Sequence, residues 1–150
     1  MKVRFRNATR EDVPTILALL RDDEFGAARE TDGLETYTAA FERLAQETDN
    51  HLIVGEDEAG RLIATYQLTF ISGLSHRGTI RAQVESVRVA SDLRGQGVGH
   101  AMMEDAENRA RAAGCRMMQL TTTKGRNRAA DFYDALGFTP SHTGYKRILE

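Results

Sequence analysis

Residues 85–100, E-S-V-R-V-A-S-D-L-R-G-Q-G-V-G-H, lead from a β-branched run through three glycines into a helical pattern. Glycine inside regular structure costs roughly 0.5–1 kcal/mol relative to alanine, so its placement here needs a reason. The first N–H groups of a helix have no partner within the helix, and the helix dipole makes that end positive. Gly95, Gly97 and Gly99, with Arg94 beside them, therefore predict a cradle of N–H groups for a phosphate. The alternative is that the glycines only permit tight packing of strand on helix.

Two common nucleotide-binding motifs do not fit this loop. The dinucleotide fingerprint G-x-G-x-x-G requires a third glycine at position 100, where the chain has His100. A Walker A loop requires G-K-S or G-K-T, which T-T-K-G-R at 122–126 does not supply. The phosphate ligand must therefore belong to another class.

Length, charge and cysteine content narrow the class of protein. The chain has 150 residues and a formal net charge of −2, so no strong field attracts nucleic acid or an acidic membrane. It has no apolar run long enough to span a bilayer, no h-region near its start, one cysteine and four scattered histidines. We expect a single domain over residues 1–150, a cytoplasmic location, and no metal, nucleic-acid or membrane partner.

Periodicity predicts the order of helices and strands. Alternating or β-branched runs predict strands at 2–6, 51–56, 61–71, 79–89, 116–123 and 144–150, and residues 22–33 are predicted as a loop. Apolar spacing and capping signals predict helices at 9–21, 34–47, 97–113 and 127–136. The order β α α β β β α β α β predicts an α/β fold with a mixed sheet flanked by helices.

Two motifs resemble those of a known family. The loop R-G-Q-G-V-G at 94–99 behind V-R-V resembles the acyl-CoA pyrophosphate loop of the GNAT superfamily of N-acetyltransferases. The segment N-R-A-A-D-F-Y-D-A-L-G-F at 127–138 resembles a second element of that superfamily. The predicted element order is similar to the family fold over nearly the whole chain. The resemblance implies a mostly antiparallel sheet that is splayed at the strands around 79–90 and 116–122.

The resemblance also implies the donor and its binding residues. It implies acetyl-CoA as the acetyl donor and no metal cofactor. It implies backbone contacts to the thioester arm from the strand before the loop, one N–H serving as oxyanion donor. The residues to which it assigns cofactor contacts are Val87, Arg88, Val89, Arg94, Gly95, Gln96, Gly97, Val98, Gly99, Asn127 and Ala130. Asn127 is also predicted to cap the helix that it begins.

Two residues match positions that carry acid–base chemistry in the family. Period 2 predicts Glu85 on the same strand face as Val87 and Val89, where several members carry a general base. The alternative is a structural carboxylate paired with an arginine, Arg81 or Arg88. Tyr133 matches a tyrosine near the CoA sulfur, which donates a proton to the departing thiolate. The alternative for Tyr133 is an amphipathic side chain at the edge of the core.

Three functions are compatible with these residues. The first is acetylation of a small-molecule amine, by direct attack in a ternary complex. The second is acetylation of a protein or peptide amine, and the third is a non-catalytic acyl-CoA-binding regulatory module.

The resemblance places three segments at the acceptor site, 22–33, 72–78 and 141–144. Their mixed charges suit an amine that also carries an anion, and the residues concerned are Asp22, Glu24, Phe25, Arg29, His76, Arg77 and His142. The acidic run 22–24 is either a solvated helix end or an attractor for the amine. Domains of this kind also pair as homodimers through sheet edges or exposed helices.

Overall fold

A five-stranded sheet organises the computed structural model, which describes residues 1–150. Its strands lie in the order β1-β2-β3-β4-β5, and every neighbouring pair is antiparallel except β4–β5, which is parallel. The strands are β1 Arg4–Asn7, β2 Asn50–Glu56, β3 Leu62–Ile71, β4 Arg81–Val89 and β5 Met117–Gln119. The helices are α1 Val13–Leu20, α2 Glu24–Arg29, α3 Leu34–Leu44, α4 Ser75–Gly78, α5 Val98–Ala112 and α6 Asn127–Ala135. This is the predicted α/β class with a mixed, mostly antiparallel sheet flanked by helices.

The core is built on β3 and α5. Ile63, Tyr66 and Leu68 of β3 are fully buried and belong to one apolar cluster with Met102 of α5. A strand buried on both faces carries a nearly continuous apolar run, as β3 does. The Tyr66 hydroxyl donates to the Asp105 carboxylate at 2.6 Å, which satisfies the one polar atom of that large side chain.

The predicted splay is present between β4 and β5. The two strands pair only over Arg81–Met117, Ala82–Met118 and Gln83–Gln119. Residues 84–89 of β4 continue without a partner in β5. Beyond Gln83 the β5-facing edge of β4 therefore has no strand partner, and we call the space beside this edge the slot.

Two predicted segments differ from the structure. Residues 22–33 are not a plain loop, because α2 forms within them. The Asp23 carboxylate caps α2 by accepting the Gly26 N–H at 2.6 Å. Residues 144–150 do not form a strand, since no neighbouring strand offers them hydrogen bonds. Tyr145 is 92% exposed and Ile148 is 83% exposed in that tail.

Candidate active site

Two residues of the glycine loop have a backbone conformation that favours glycine. Gly95 and Gly97 have φ of 78° and 86°, a region that side-chain-bearing residues rarely adopt. α5 begins directly afterwards at Val98. The third glycine allows close packing instead, because a Cβ on Gly99 would lie only 3.2 Å from the Phe132 ring. The loop thus combines two left-handed residues with one close approach to α6.

The N–H groups of this loop are free. From Gly95 to His100 no backbone N–H donates to an acceptor within the chain, and α5 has no side-chain cap. Unpaired amides at a helix start attract anions. Arg94 is exposed beside them, and one of its nitrogens donates to the Asp22 carbonyl at 2.8 Å. The guanidinium is thereby tethered next to the loop, with its other donors available.

A β-bulge in β4 overturns the predicted orientation of Glu85. Ser86 has φ of 54°, and the β3–β4 register shifts there. Glu85 pairs with Gln67 and Arg88 pairs with Thr65, and those two β3 residues share a face because they are two apart. Val89 pairs with Ala64, on the other face. The prediction that Glu85 shares a face with Val87 and Val89 is wrong; it shares one with Arg88, because the bulge inserts one residue.

Glu85 is exposed and forms no ion pair. Neither arginine offered as its structural partner contacts it. Arg81 donates to Gln119 at 3.1 Å, and Arg88 lies 3.4 Å from Asp23. The carboxylate of Glu85 therefore has no ion-pair or hydrogen-bond partner within the chain.

Tyr133 lies on α6, half-buried between two aromatic rings. Its ring centroid is 5.2 Å from that of Phe132 and 5.9 Å from that of Phe138, both edge-on. Its hydroxyl has no hydrogen-bond partner within the chain. Burial raises the pKa of Tyr133, against the opposing pull of the positive charges of Arg88 and Arg126. The hydroxyl therefore keeps its proton at neutral pH.

The start of α6 differs by one residue from the prediction. Arg126 occupies the cap position, with no side-chain cap bond, and Asn127 is the first helical residue. The prediction that Asn127 caps the helix is therefore wrong, because the chain turns into the helix one residue earlier. Asn127 and Ala130 are three apart and lie on one face of α6.

A charged cluster joins α2, β4 and α6, and sequence reasoning missed it. Arg88 Nε and Arg126 Nη1 each lie 3.4 Å from Asp23 Oδ2. The Arg126 guanidinium carbon sits 4.4 Å from the centroid of the Phe25 ring. Asp23 and Arg126 are 103 positions apart, so no motif or periodicity relates them. Of the predicted acceptor segments, 22–33 thus joins the site, whereas α4 and residues 141–144 share no hydrogen bond or ion pair with it.

These features match those of a known family. The model of the acetyltransferase (GNAT) family matches residues 14–138, so the chain belongs to that family. By family it is an acyl-CoA-dependent acetyltransferase. No curated protein sequence matches the chain.

Solved structures share the fold of this chain. A transcriptional regulator from Bacillus halodurans C-125 is 36% identical, with a TM-score of 0.93 over 99% of this chain and 100% of that one. Glucosamine-6-phosphate N-acetyltransferase from Arabidopsis thaliana is 19% identical, with a TM-score of 0.81 over all of both chains. AAC(6')-Iy, solved with the bisubstrate analogue CoA-S-monomethyl-acetylneamine, is 14% identical, with a TM-score of 0.81 over 100% of this chain and 99% of that one. The last two show the fold alone.

Membrane-spanning helices and metal-binding clusters are both absent from the structure. None of its helices combines the length and the apolar character that crossing a membrane requires. No group of three or more His, Cys, Asp or Glu side chains is arranged to hold a metal ion.

Proposed function

We propose that this chain, as a single domain over residues 1–150, transfers an acetyl group from acetyl-CoA to the amine of a small molecule. The reaction proceeds by direct attack of the amine in a ternary complex. One observation carries the proposal: the free N–H groups of residues 95–100 lie at the end of the strand whose residues 84–89 are unpaired towards β5. The site thus offers an anion cradle and an adjoining slot.

The residues present fit acetyl-CoA, which when bound supplies an activated acetyl thioester. The amides of residues 95–99 and the Arg94 guanidinium would hold its pyrophosphate. Main-chain groups of Val87 and Val89, on the edge of β4 that lacks a partner, would hold the thioester arm. The Val87 carbonyl already accepts a hydrogen bond from Arg88 at 2.9 Å. The Val87 N–H and the main-chain groups of Val89 are therefore the better candidates for binding the thioester arm.

Glu85 is the candidate base for the acceptor amine. An alkyl amine with pKa near about 10.4 is only about one part in a thousand neutral at pH 7.4, a handicap of roughly 4 kcal/mol. Glu85 is exposed, unpaired and on the face of β4 that looks towards α2. It accepts the ammonium proton directly or through one water, so that the neutral amine attacks.

Tyr133 is the candidate acid for the departing thiolate. Its hydroxyl donates to no group of the protein, so it is available to a ligand. Its raised pKa keeps the proton in place until the thiolate, with a pKa near about 8.5, leaves. The rings of Phe132 and Phe138 fix the direction in which the hydroxyl points.

A small-molecule acceptor fits the site better than a protein chain. Asp23 ties α2 to Arg88 and Arg126, so a helix encloses the acceptor side of the slot. A walled site accommodates a small amine, whereas a protein lysine on a folded surface needs an open approach. Acetylation of a protein or peptide amine is the alternative that an acceptor screen decides.

A second candidate function is an acyl-CoA-binding regulatory module without turnover. The observation that favours it is the description of the 36% identical Bacillus halodurans protein as a transcriptional regulator. The free carboxylate of Glu85 and free hydroxyl of Tyr133 favour catalysis instead. CoA binding without turnover of any amine would favour the regulatory module.

We also propose a homodimer. The support is the tail 139–150, which forms no strand and exposes Tyr145, Ile148 and Leu149 at 92%, 83% and 82%. Large apolar side chains grouped at such exposure indicate an interaction surface. The cytoplasmic location and the absence of nucleic-acid and membrane partners stay predictions from the sequence.

The proposed transfer is tested by an acceptor screen that follows free thiol released from acetyl-CoA, with each product identified by mass spectrometry. We expect release that depends on the amine and saturates with it. The double variant Glu85→Gln/Tyr133→Phe serves as control, because it removes both candidate groups with little change in volume. Equal release by the control and the unmodified protein would contradict the assignment of both residues.

A further inference from the structure

Two arginines on the acceptor side share a single carboxylate oxygen. Arg88 Nε and both terminal nitrogens of Arg126 lie 3.4 Å from Asp23 Oδ2. The other oxygen, Oδ1, is occupied by the Gly26 N–H at 2.6 Å. The side chains of Arg88, Asp23 and Arg126 are only 11%, 17% and 26% exposed. Asp23 is therefore one carboxylate shared by two guanidiniums, with one of its oxygens already bound to a backbone N–H.

The cluster carries an uncompensated positive charge. Two guanidiniums and one carboxylate leave a net charge of +1. Arg29 and Glu30, the nearest other charges that act on Arg88, pair with each other at 2.7 Å and cancel. A charge removed from water is costly unless it is paired. Burial lowers the pKa of Arg88 even with Asp23 beside it, which is the expected sign for an incompletely paired cation.

Two donors of this cluster have no hydrogen-bond partner, while other donors of the cluster bind Asp23 and the Val87 carbonyl. The Nε atoms of Arg88 and Arg126 are both buried and have no hydrogen-bond partner. Arg88 Nη1 donates to the Val87 carbonyl at 2.9 Å, whereas its Nε–Nη2 edge makes no hydrogen bond, although Nε lies 3.4 Å from Asp23 Oδ2. That edge binds carboxylates and phosphates through two parallel bonds. The Phe25 ring, 4.4 Å away, holds the Arg126 plane in place.

The position of the cluster relates it to the acceptor. Arg88 shares a face of β4 with Glu85, the candidate base, and both arginine charges act on the Tyr133 hydroxyl, the candidate acid. The glycine loop, which we assign to the CoA pyrophosphate, is a separate set of donors that begins at Arg94. An anion bound to Arg88 and Arg126 would thus lie beside both candidate groups and apart from the glycine loop.

We propose that Arg88 and Arg126 form an anion subsite that selects acceptor amines carrying a carboxylate or phosphate group. The subsite binds the anionic end of the acceptor and directs its amine towards Glu85. This inference rests on the proposed acetyl transfer for its kinetic consequences, whereas anion binding itself does not depend on turnover.

The binding test uses inorganic phosphate as the probe, titrated calorimetrically into the protein with and without saturating CoA. Arg126→Gln should weaken phosphate binding at least about tenfold. Arg128→Gln, the same change at an exposed residue of α6, is the control and should leave it unchanged. Asp23→Asn keeps an N-cap acceptor but removes the competing charge, so it should tighten binding. If the cluster only stabilised the fold, Arg126→Gln and Asp23→Asn would both weaken phosphate binding.

The kinetic test compares matched acceptors, an amino acid with its amide and phosphoethanolamine with ethanolamine. Within whichever pair serves as substrate, we expect the kcat/KM of the unmodified protein to be at least about a hundredfold higher for the anionic member. Arg126→Gln should bring that ratio near unity by raising KM, with the KM for acetyl-CoA unchanged. Equal rates for both members of each acetylated pair would overturn the proposal.

Two results separate this inference from the proposed function. If no amine is acetylated but phosphate binds as described, the transfer fails and the subsite stands. If CoA displaces phosphate from Arg88 and Arg126, the anion belongs to the donor and the acceptor subsite is refuted. An Arg126→Gln protein with unchanged phosphate affinity also refutes it.

Discussion

Gly97→Glu isolates the role of the glycine loop. A Cβ at this position meets no atom within 4 Å, so the substitution causes no clash. The substitution lowers the free energy of unfolding because a residue with a side chain must adopt φ of 86°, which costs about 1–2 kcal/mol. That is small against the roughly 5–15 kcal/mol that stabilises a typical domain. The variant should therefore fold.

The effect on donor binding should be much larger than the effect on folding. A carboxylate placed about 4 Å from a phosphate opposes it by about 4 kcal/mol at an effective dielectric constant of about 20, roughly a thousandfold in affinity. Gly97→Gln is the matched control, because it adds the same bulk and the same backbone cost without the charge.

The assay is calorimetric titration of CoA into both variants at low and moderate salt. Gly97→Glu should bind CoA far more weakly than Gly97→Gln, and the gap should narrow as salt screens the repulsion. Equal CoA affinity in the two folded variants would refute the placement of the pyrophosphate on this loop.

Four further predictions address other parts of the molecule. Glu85→Gln should lower kcat by about 10²-fold, with a deficit that shrinks at high pH as the amine loses its proton unaided; a pH–rate profile that overlays the unmodified one would leave Glu85 without a role as base. Tyr133→Phe should lower kcat about 10- to 100-fold with CoA affinity nearly unchanged, because the lost hydroxyl bonds no group of the protein; full kcat would remove it as the acid. The side-chain hydrogen bond from Arg6 holds the pKa of Asp12 below its usual value, so the pair stabilises the fold above about pH 3.9 and loses that contribution as pH falls through the lowered pKa. The free energy of urea unfolding, measured between pH 2 and 7, should therefore depend less on pH in Asp12→Asn than in the unmodified protein. Identical pH dependences would contradict this prediction. Removal of residues 144–150 should convert a dimer to a monomer by light scattering, and an unchanged mass would contradict the role of the tail.

The sequence predicts the fold because its signals are local. The helical segment predicted from residue 9 is an example, since the Asp12 carboxylate accepts the Thr9 N–H at 2.7 Å as a capping box does. The glycine loop before α5 is a second local signal, and its Gly95 and Gly97 take left-handed φ in the structure. Local rules also explain the failure at 144–150, because a strand pattern does not specify which partner strand it pairs with.

The features that the sequence does not predict depend on contacts between distant residues. Ser86 takes a positive φ although no Gly or Asn marks the bulge, so period 2 misplaces Glu85. Asp23 meets Arg88 and Arg126 only because α2 packs against β4 and α6. The acidic run that contains Asp23 is read from sequence as a solvated end or an amine attractor, whereas Asp23 is a half-buried partner of two arginines.

The central claim is direct transfer of an acetyl group from acetyl-CoA to an amine held in the same site. It is tested most directly by initial rates measured over a grid of acetyl-CoA and amine concentrations, together with the intact mass of the protein after incubation with acetyl-CoA alone. Direct attack in a ternary complex predicts intersecting double-reciprocal lines and an unchanged protein mass. Parallel lines with a protein heavier by one acetyl group would contradict it.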